Sequence, residues 1–162
     1  MKIEVIPGVL DAREIEQLLA DVDPLNTAQE MTYFDGNDHK LGARKVGCLE
    51  HPIVQHLISR LRLVKVDGAT IVHYPEGSHN TLHTDNSIVN GTEVQRVKDW
   101  EHTVIVFLNN DFTGGELVYP KQGCRFIPVP GTAVIAPAGP EYPHLVTRIT
   151  SGDRFVIVIR VL

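Results

Sequence analysis

The triplet His83-Thr84-Asp85 and the distant His144 are the residues of this chain best suited to chemistry. Successive side chains of a strand point to opposite faces, so His83 and Asp85 would share one face. A second imidazole from another strand would complete a set of two histidines and one carboxylate. That set leaves open positions on a metal ion and suits non-haem Fe(II) that activates oxygen. We therefore predict that His83, Asp85 and His144 are metal ligands and catalytic residues.

Arg154 follows His144 by ten residues and adds a second chemical group. A turn at Ser151-Gly152 would fold the next strand back antiparallel to the strand of His144, which would carry Arg154 into the interior near the metal. A buried guanidinium needs an anionic partner, because an unpaired buried charge is costly. Its fork suits a carboxylate, so a dicarboxylate bound to the metal at one end would supply that partner at the other.

The predicted secondary structure that positions these residues differs between the first part of the chain and the part from residue 69 onward. Apolar residues at helical spacing predict helices over residues 11–22 and 52–63, with a possible hairpin between them. From residue 69 onward, short β-branched runs alternate with turn residues, which is typical of sandwiches and barrels, including jelly rolls and cupins. The predicted strands are residues 69–74, 103–108, 116–119, 125–129, 133–136, 144–149 and 154–162.

The expected fold class is therefore α+β, mainly β, with N-terminal supporting helices. We expect a single domain over residues 1–162, in which residues 1–68 form a helical support region and residues 69–162 form the β core. The segment 86–101 follows Asp85 directly and is the longest predicted loop. A loop of this length at the mouth of a site is often a functional lid.

Composition narrows the classes of function. The chain has 162 residues with a formal charge of −5, which argues against a nucleic-acid binder that works through a broad basic surface. No run approaches the roughly 18 to 20 apolar residues that span a bilayer, and the N-terminus lacks a signal peptide, so a soluble cytoplasmic protein is expected. Cys48 and Cys124 do not form a CxxC pair, and two buried free thiols are favoured over a disulfide.

The order of the motifs resembles the iron(II)- and 2-oxoglutarate-dependent dioxygenases, and among them the prolyl 4-hydroxylase-like branch. The resemblance covers about residues 69–162 and rests on five segments of this sequence: Tyr74-Pro-Glu-Gly77 before His83-Thr-Asp85, Thr103-Val-Ile-Val-Phe-Leu-Asn109, Gly114-Gly-Glu-Leu117, Pro130-Gly-Thr-Ala-Val134, and His144-x-Val146 with Gly152 and Arg154.

This resemblance implies a double-stranded β-helix, a jelly roll of the cupin-like kind. It implies Fe(II) bound by the three predicted ligands, 2-oxoglutarate with its distal carboxylate on Arg154, and Tyr74 beside the cofactor or substrate. It also implies O2 as the oxidant and ascorbate as a supporting reductant. The implied reaction couples hydroxylation of a substrate C–H bond to decarboxylation of 2-oxoglutarate to succinate and CO2.

The sequence departs from the pattern of members that act on peptidyl proline. Those members often have tryptophan sixteen residues after the distal histidine, where this chain has Arg160. They often have lysine at the position of Arg154 and, in some cases, tyrosine at that of Phe107. Arg160 would point inward with Arg154, where it would contact an acidic substrate or reach solvent at the end of the barrel. Trp100 would cap the barrel or touch the substrate.

Three functions follow in order of preference. The first is hydroxylation of a peptidyl residue, with proline as the first candidate. The second is the same chemistry on a free amino acid or small metabolite, and the third is a non-enzymatic cupin-like metal-binding domain. The predicted co-substrate arginine counts against the third. A nucleic-acid demethylase ranks lower because of the acidic charge balance.

Overall fold

Two amphipathic helices pack outside the sheets in the computed structural model, which describes residues 2–32 and 40–162. Helix α1 (Ala12–Val22) begins at a capping box, in which Glu14 N donates to Asp11 Oδ1 over 2.8 Å and Asp11 N donates to Glu14 Oε1 over 3.1 Å. A short α2 (Pro24–Thr27) follows, and α3 (Pro52–Arg60) begins with a proline. Both long helices lie where they were predicted, although α3 ends three residues earlier than expected.

The strands form two antiparallel sheets that pack face to face and one separate hairpin. Across the larger sheet, the strands lie in the order β1 (Glu4–Ile6), β11 (Ala133–Pro137), β8 (His102–Phe107), β13 (Arg154–Val161), β4 (Val66–Tyr74), β3 (Lys40–Gly47) and β2 (Gln29–Thr32). Across the smaller sheet, the strands lie in the order β10 (Cys124–Phe126), β9 (Leu117–Tyr119), β12 (His144–Val146) and β5 (Asn80–His83). The hairpin pairs β6 (Ser87–Asn90) with β7 (Glu93–Arg96), and a 3₁₀ turn occupies Pro120–Gln122.

Alternation along β13 divides the core into two layers. Val156 belongs to the cluster between the two sheets, together with Tyr74 of β4 and Leu117 of β9. Ile157 and Ile159 belong to the cluster between the larger sheet and the helices. The predicted mainly β fold is confirmed, and the space between the sheets is where inward side chains of both sheets meet.

The N-terminal region is less helical than predicted. Besides its helices, residues 2–68 contribute β1, β2, β3 and the first residues of β4 to the larger sheet. Between the long helices, β2 pairs antiparallel with β3 as the expected hairpin requires, and its connection, residues 33–39, lies outside the described residues. These strands were not predicted because their sequences are largely polar. A strand that is covered on only one face carries few apolar residues.

The prediction that β13 folds back against the strand of His144 is wrong. β13 pairs with β4 and β8 in the larger sheet, whereas β12, which carries His144, pairs with β5 and β9 in the smaller sheet. The turn at Ser151-Gly152 therefore carries the chain from one sheet to the other. Arg154 still enters the interior, because the inner face of β13 looks across at the smaller sheet.

The predicted loop over residues 86–101 contains regular structure. Asn90 pairs with Glu93 in the hairpin, and Gly91 has a φ of 63° in the two-residue turn between them. A two-residue connection with positive φ matches the twist of the flanking strands, and glycine adopts it without strain. The segment between Asp85 and β8 is thus a hairpin followed by a short connection that ends at Trp100 and Glu101.

The two cysteines are free thiols, as predicted. Cys48 is buried and burial raises the pKa of its thiol to about 12, whereas Cys124 is half-buried. Among the described residues, no helix has the length and apolar character needed to cross a bilayer.

We expect Leu57→Ala to destabilise the protein by about 2 to 5 kcal/mol, because Leu57 of α3 is fully buried and its removal leaves a cavity. Leu25→Ala is the matched control, since Leu25 is 52% exposed and should change stability by only about 0.5 kcal/mol. Urea unfolding followed by circular dichroism measures both. Equal losses in the two variants would contradict this packing.

Candidate active site

His83, Asp85 and His144 converge on one point between the sheets. His83 ends β5, His144 begins β12, and the two residues are partners in the antiparallel register. His83 Nε2 lies 3.5 Å from Asp85 Oδ1, and His144 Nε2 lies 3.6 Å from Asp85 Oδ2. One ligand atom from each residue lies within 4.8 Å of the others. These spacings and donor types fit a divalent metal ion bound by two imidazoles and one carboxylate.

The local backbone that places Asp85 at this point differs from the one predicted. Strand β5 ends at His83, so Asp85 lies beyond the strand rather than two positions along it. A bend at Asp85 and Asn86 leads into β6, and the N–H of Asn86 donates to Ala138 O over 3.0 Å. The juxtaposition predicted from strand alternation is therefore correct, but its geometric reason is the bend.

Both imidazoles are held with Nε2 toward Asp85. Nδ1 of His83 lies 2.7 Å from the carbonyl oxygen of Thr81, and Nδ1 of His144 lies 3.1 Å from that of Tyr142. A carbonyl oxygen only accepts, so each Nδ1 carries a proton, and Nε2 is the nitrogen that each ring directs at Asp85. The ring of Tyr119 also stacks on His144 with the centroids 4.9 Å apart. Both side chains thus present Nε2 in a direction suited to a metal ion.

Asp85 is held as a carboxylate. Burial alone would raise its pKa, but the nearby His144, Arg160 and His83 together keep the pKa of Asp85 well below its usual range. Arg160 Nη1 lies 2.8 Å from Asp85 Oδ2, and Thr103 Oγ1 donates to the same oxygen over 2.8 Å. The side chain of Asp85 is only 3% exposed. The carboxylate is therefore charged, fixed in direction and shielded from water.

Arg154 lies at the inner end of the same space and is 1% exposed. Its Nε donates to Gly115 O over 2.9 Å, and its guanidinium carbon lies 4.8 Å from the centre of the Tyr74 ring. Among the described residues, its two terminal nitrogens have no hydrogen-bond partner. Burial lowers the pKa of Arg154 to about 10, which leaves it charged at neutral pH, and the neighbouring Tyr74 opposes that shift. A buried guanidinium with two free nitrogens fits a carboxylate ligand.

Gly115 explains the close approach of Arg154. A Cβ at Gly115 would lie 2.8 Å from Cδ of Arg154 and 2.9 Å from the ring of Phe112, and its φ is 66°. Gly115, the second glycine of the Gly-Gly pair, therefore makes room for the arginine, and its carbonyl oxygen orients the guanidinium. Tyr74, the partner of Arg154 in the register between β4 and β13, closes the other side.

A single cavity of about 270 Å³ connects these groups. The three candidate metal ligands, Arg154 and Tyr74 all line it, and Arg160 and Trp100 lie on its wall as well. Arg160 lies with its guanidinium carbon 4.8 Å from the centre of the Trp100 ring, and Trp100 Nε1 donates to Asp67 Oδ2 over 2.6 Å. Arg160 points inward as predicted, but its partner is Asp85, a role that the sequence did not indicate.

The sequence also missed several residues that line the cavity. They are Met31 and Lys45 from the N-terminal strands, Asp67 at the start of β4, Asn80 on β5 and Thr103 on β8. Thr103 was visible only as the first residue of a predicted strand. Asn80 donates to the hydroxyl of Tyr74 over 3.4 Å, which supports the tyrosine beside Arg154. Contacts of this kind depend on strand register, and local spacing does not reveal them.

The buried imidazole of His144 predicts how stability varies with pH in the metal-free protein. Burial disfavours the charged ring and lowers the pKa of His144 from 6.5 to about 4, although Asp85 acts in the opposite direction. Below pH 6.5 the unfolded chain takes up a proton that the folded chain excludes. This contribution to stability is complete above pH 6.5 and is lost as the pH falls toward 4, with a limit of about 3 kcal/mol.

Urea unfolding of the metal-free protein at pH 7.5 and pH 5 measures this effect. His144→Gln should show a smaller loss between the two pH values, because glutamine does not titrate. An identical loss in the wild type and in His144→Gln would contradict the assignment of the effect to His144.

Comparisons with known proteins agree with this geometry. The sequence profile of the 2OG-Fe(II) oxygenase superfamily matches residues 69–159, which include all three candidate ligands and Arg154. Human prolyl 3-hydroxylase 1 is 29% identical over 115 residues, which is 64% of this chain and 15% of that protein. The chicken protein of the same name is 31% identical over 121 residues, which is 67% of this chain and 16% of that protein. The chain thus spans less than a fifth of the length of these curated relatives.

Solved structures share the fold across the whole chain. The viral collagen prolyl hydroxylase of Paramecium Bursaria Chlorella virus-1, in a complex with 2OG, superposes with a TM-score of 0.74 at 17% identity, covering 100% of this chain and 97% of that one. A Trichoplax adhaerens prolyl hydroxylase in complex with a hypoxia inducible factor peptide fragment gives a TM-score of 0.75 at 14% identity, covering 99% and 83%. At these identities the likeness establishes the double-stranded β-helix fold.

Proposed function

The chain belongs to the 2OG-Fe(II) oxygenase superfamily, and we propose that it is an Fe(II)- and 2-oxoglutarate-dependent hydroxylase that acts on a peptidyl residue, with proline as the first candidate. The observation that carries the proposal is the placement of two complementary groups in one cavity. Three side chains that could bind a metal ion converge at one point, and a buried arginine whose two terminal nitrogens have no hydrogen-bond partner among the described residues lies on the same cavity wall.

In this proposal His83, Asp85 and His144 hold Fe(II) through Nε2, a carboxylate oxygen and Nε2. Iron and 2-oxoglutarate together supply the oxidising chemistry, with O2 as the oxidant and succinate and CO2 as products. The protein contributes binding, orientation and a dry pocket. The carbonyls of Thr81 and Tyr142 keep both imidazoles in the tautomer that leaves Nε2 unprotonated.

Arg154 receives the distal carboxylate of 2-oxoglutarate in the same proposal. Its two terminal nitrogens form a fork for both carboxylate oxygens, while Gly115 O and the Tyr74 ring hold the guanidinium in place. Val72, Val146 and Val156 line the cavity and exclude water from the remaining volume. Low local polarity strengthens the ionic contact with the carboxylate.

The remaining part of the cavity, bordered by Trp100, Asp67 and Lys45, receives the substrate residue in this proposal. Proline is favoured because the curated relatives that match by sequence are prolyl hydroxylases. Trp100 offers an aromatic edge at the rim, and proline rings pack well on aromatic surfaces. The same comparisons do not favour a free amino acid or a metal-binding domain without activity.

A peptide screen tests this function. Fe(II)-loaded protein is incubated with 2-oxoglutarate, ascorbate as a supporting reductant, and proline-containing peptides alongside free amino acids. We expect a peptide product heavier by about 16 Da, the mass of one added oxygen, and an equal amount of succinate. Hydrolysis and amino-acid analysis then separate 3-hydroxyproline from 4-hydroxyproline. Mass gain on free amino acids alone would overturn the peptidyl assignment.

We also propose a cytoplasmic location. Two free thiols in a small domain fit a reducing compartment better than an oxidising one. Thiol titration of protein isolated from its native cells, with alkylation at lysis, tests this. Oxidised Cys48 and Cys124 in that material would contradict it.

A further inference from the structure

Arg160 occupies an unusual place beside the candidate iron ligand Asp85. It is the last inward residue of β13, and its register partner on β8 is Thr103. Arg160 Nη1 lies 2.8 Å from Asp85 Oδ2 and donates to Thr103 Oγ1 over 2.7 Å. Thr103 in turn donates its hydroxyl proton to the same Oδ2 over 2.8 Å. Three side chains thus close a ring of polar contacts on one carboxylate oxygen.

The two carboxylate oxygens of Asp85 are therefore not equivalent. An oxygen of an ionised carboxylate has about two lone-pair sites. Oδ2 already faces two donors, the guanidinium of Arg160 and the hydroxyl of Thr103. Each oxygen also has one candidate ligand atom nearby, His83 Nε2 at 3.5 Å from Oδ1 and His144 Nε2 at 3.6 Å from Oδ2, so the two donors on Oδ2 are what distinguish the oxygens. Oδ1 is the oxygen to which neither Arg160 nor Thr103 donates.

We propose that Arg160 is a positioning residue that, together with Thr103, restricts Asp85 to binding the metal through Oδ1 alone. A carboxylate that bound through both oxygens would occupy an additional position on the metal. Two histidines and one monodentate carboxylate leave the positions that a chelating co-substrate and oxygen require. This inference rests on the proposed function for the identity of the metal and the co-substrate.

The rim of the cavity holds Arg160 in this position. Its guanidinium carbon lies 4.8 Å from the centre of the Trp100 ring, and Asp67 Oδ2 accepts from Trp100 Nε1 over 2.6 Å. The side chain of Arg160 is 24% exposed, whereas that of Asp85 is 3% exposed. Arg160 therefore links a partly exposed rim to a buried ligand.

The test uses Co(II), whose visible absorption reports coordination number. Arg160→Met removes the charged donor and keeps a long side chain. Thr103→Val removes the hydroxyl and keeps the shape of the side chain. Arg160→Lys keeps one charged donor group. Arg60→Met is the matched control, because Arg60 joins Glu14 in an ion pair between the helices, away from the cavity. Trp100 is the only tryptophan of the chain, so quenching of its fluorescence measures Co(II) binding.

We expect Arg160→Met and Thr103→Val to retain Co(II) binding but to show altered visible bands, because the second carboxylate oxygen takes a position on the metal. Calorimetric titration should show 2-oxoglutarate binding to the Co(II)-loaded variants weakened by about tenfold, with partial recovery in Arg160→Lys and wild-type values in Arg60→Met. An unchanged spectrum, or Co(II) affinity falling in parallel with 2-oxoglutarate affinity, would overturn the proposal. The Co(II) spectrum needs no co-substrate, so it tests Arg160 even if the wild type forms no succinate.

Discussion

Replacement of His83 by alanine is expected to abolish hydroxylation and to weaken Fe(II) binding strongly. His83 supplies one of only three protein donor atoms at the metal point among the described residues, and its Nε2 is preset by the Thr81 carbonyl. Loss of one donor leaves a metal held by two side chains, which costs several kcal/mol, or about a thousandfold in turnover. Succinate formation and Fe(II) titration by fluorescence measure the two effects.

His56→Ala is the matched control for this variant. His56 lies on the exposed face of α3, outside the cavity, and should retain the metal affinity and turnover of the wild type. Circular dichroism and urea unfolding establish that both variants are folded. Turnover of His83→Ala equal to that of His56→Ala would remove His83 from the metal site.

Replacement of Arg154 by methionine is expected to have the next largest effect, which falls on 2-oxoglutarate. The substitution removes two free, buried guanidinium nitrogens and leaves a distal carboxylate without a partner in a dry pocket. Breaking such a pair costs about 3 to 5 kcal/mol, so 2-oxoglutarate affinity should fall by at least a hundredfold. Calorimetric titration of 2-oxoglutarate into Co(II)-loaded protein measures it, while Co(II) affinity itself should stay at the wild-type value.

Arg154→Met should weaken 2-oxoglutarate binding without lowering the stability of the ligand-free protein. A buried charge without a counterion is unfavourable, so Arg154→Met should be at least as stable as the wild type in urea. Arg125→Met, at an exposed arginine paired with Glu116 on the smaller sheet, is the control and should leave 2-oxoglutarate affinity unchanged. A strong loss of stability in Arg154→Met with unchanged 2-oxoglutarate affinity would show that the arginine is structural.

The residues of the site were predictable because their signals are local or carried by ordered motifs. His83 and Asp85 are two positions apart in the sequence. His144 and Arg154 are ten positions apart, on two successive strands joined by a turn. The texture of short β-branched runs likewise indicated a mainly β fold. Gly114 and Gly115 both have positive φ, and the structure shows that Gly114 lies against the backbone of Arg148 and Gly115 against the side chain of Arg154.

The remainder depended on pairings that local patterns do not encode. The sheet that β13 joins is decided by contacts with β4 and β8, which lie far away in sequence. The contact between Arg160 and Asp85 depends on that register, so it could not be derived from the spacing of either residue. The β6–β7 hairpin had a usable signal in Gly91, the first residue of its two-residue turn, but its strands expose apolar residues such as Ile88 and Val94.

Succinate formation by Fe(II)-loaded protein supplied with 2-oxoglutarate, O2 and the peptide that gains mass in the screen measures the proposed activity directly. We expect succinate and hydroxylated peptide in equal amounts, both dependent on added Fe(II) and both absent in His83→Ala. Wild-type protein that binds Fe(II) but forms no succinate with any peptide or amino acid would contradict the proposed activity, as would equal succinate formation by His83→Ala.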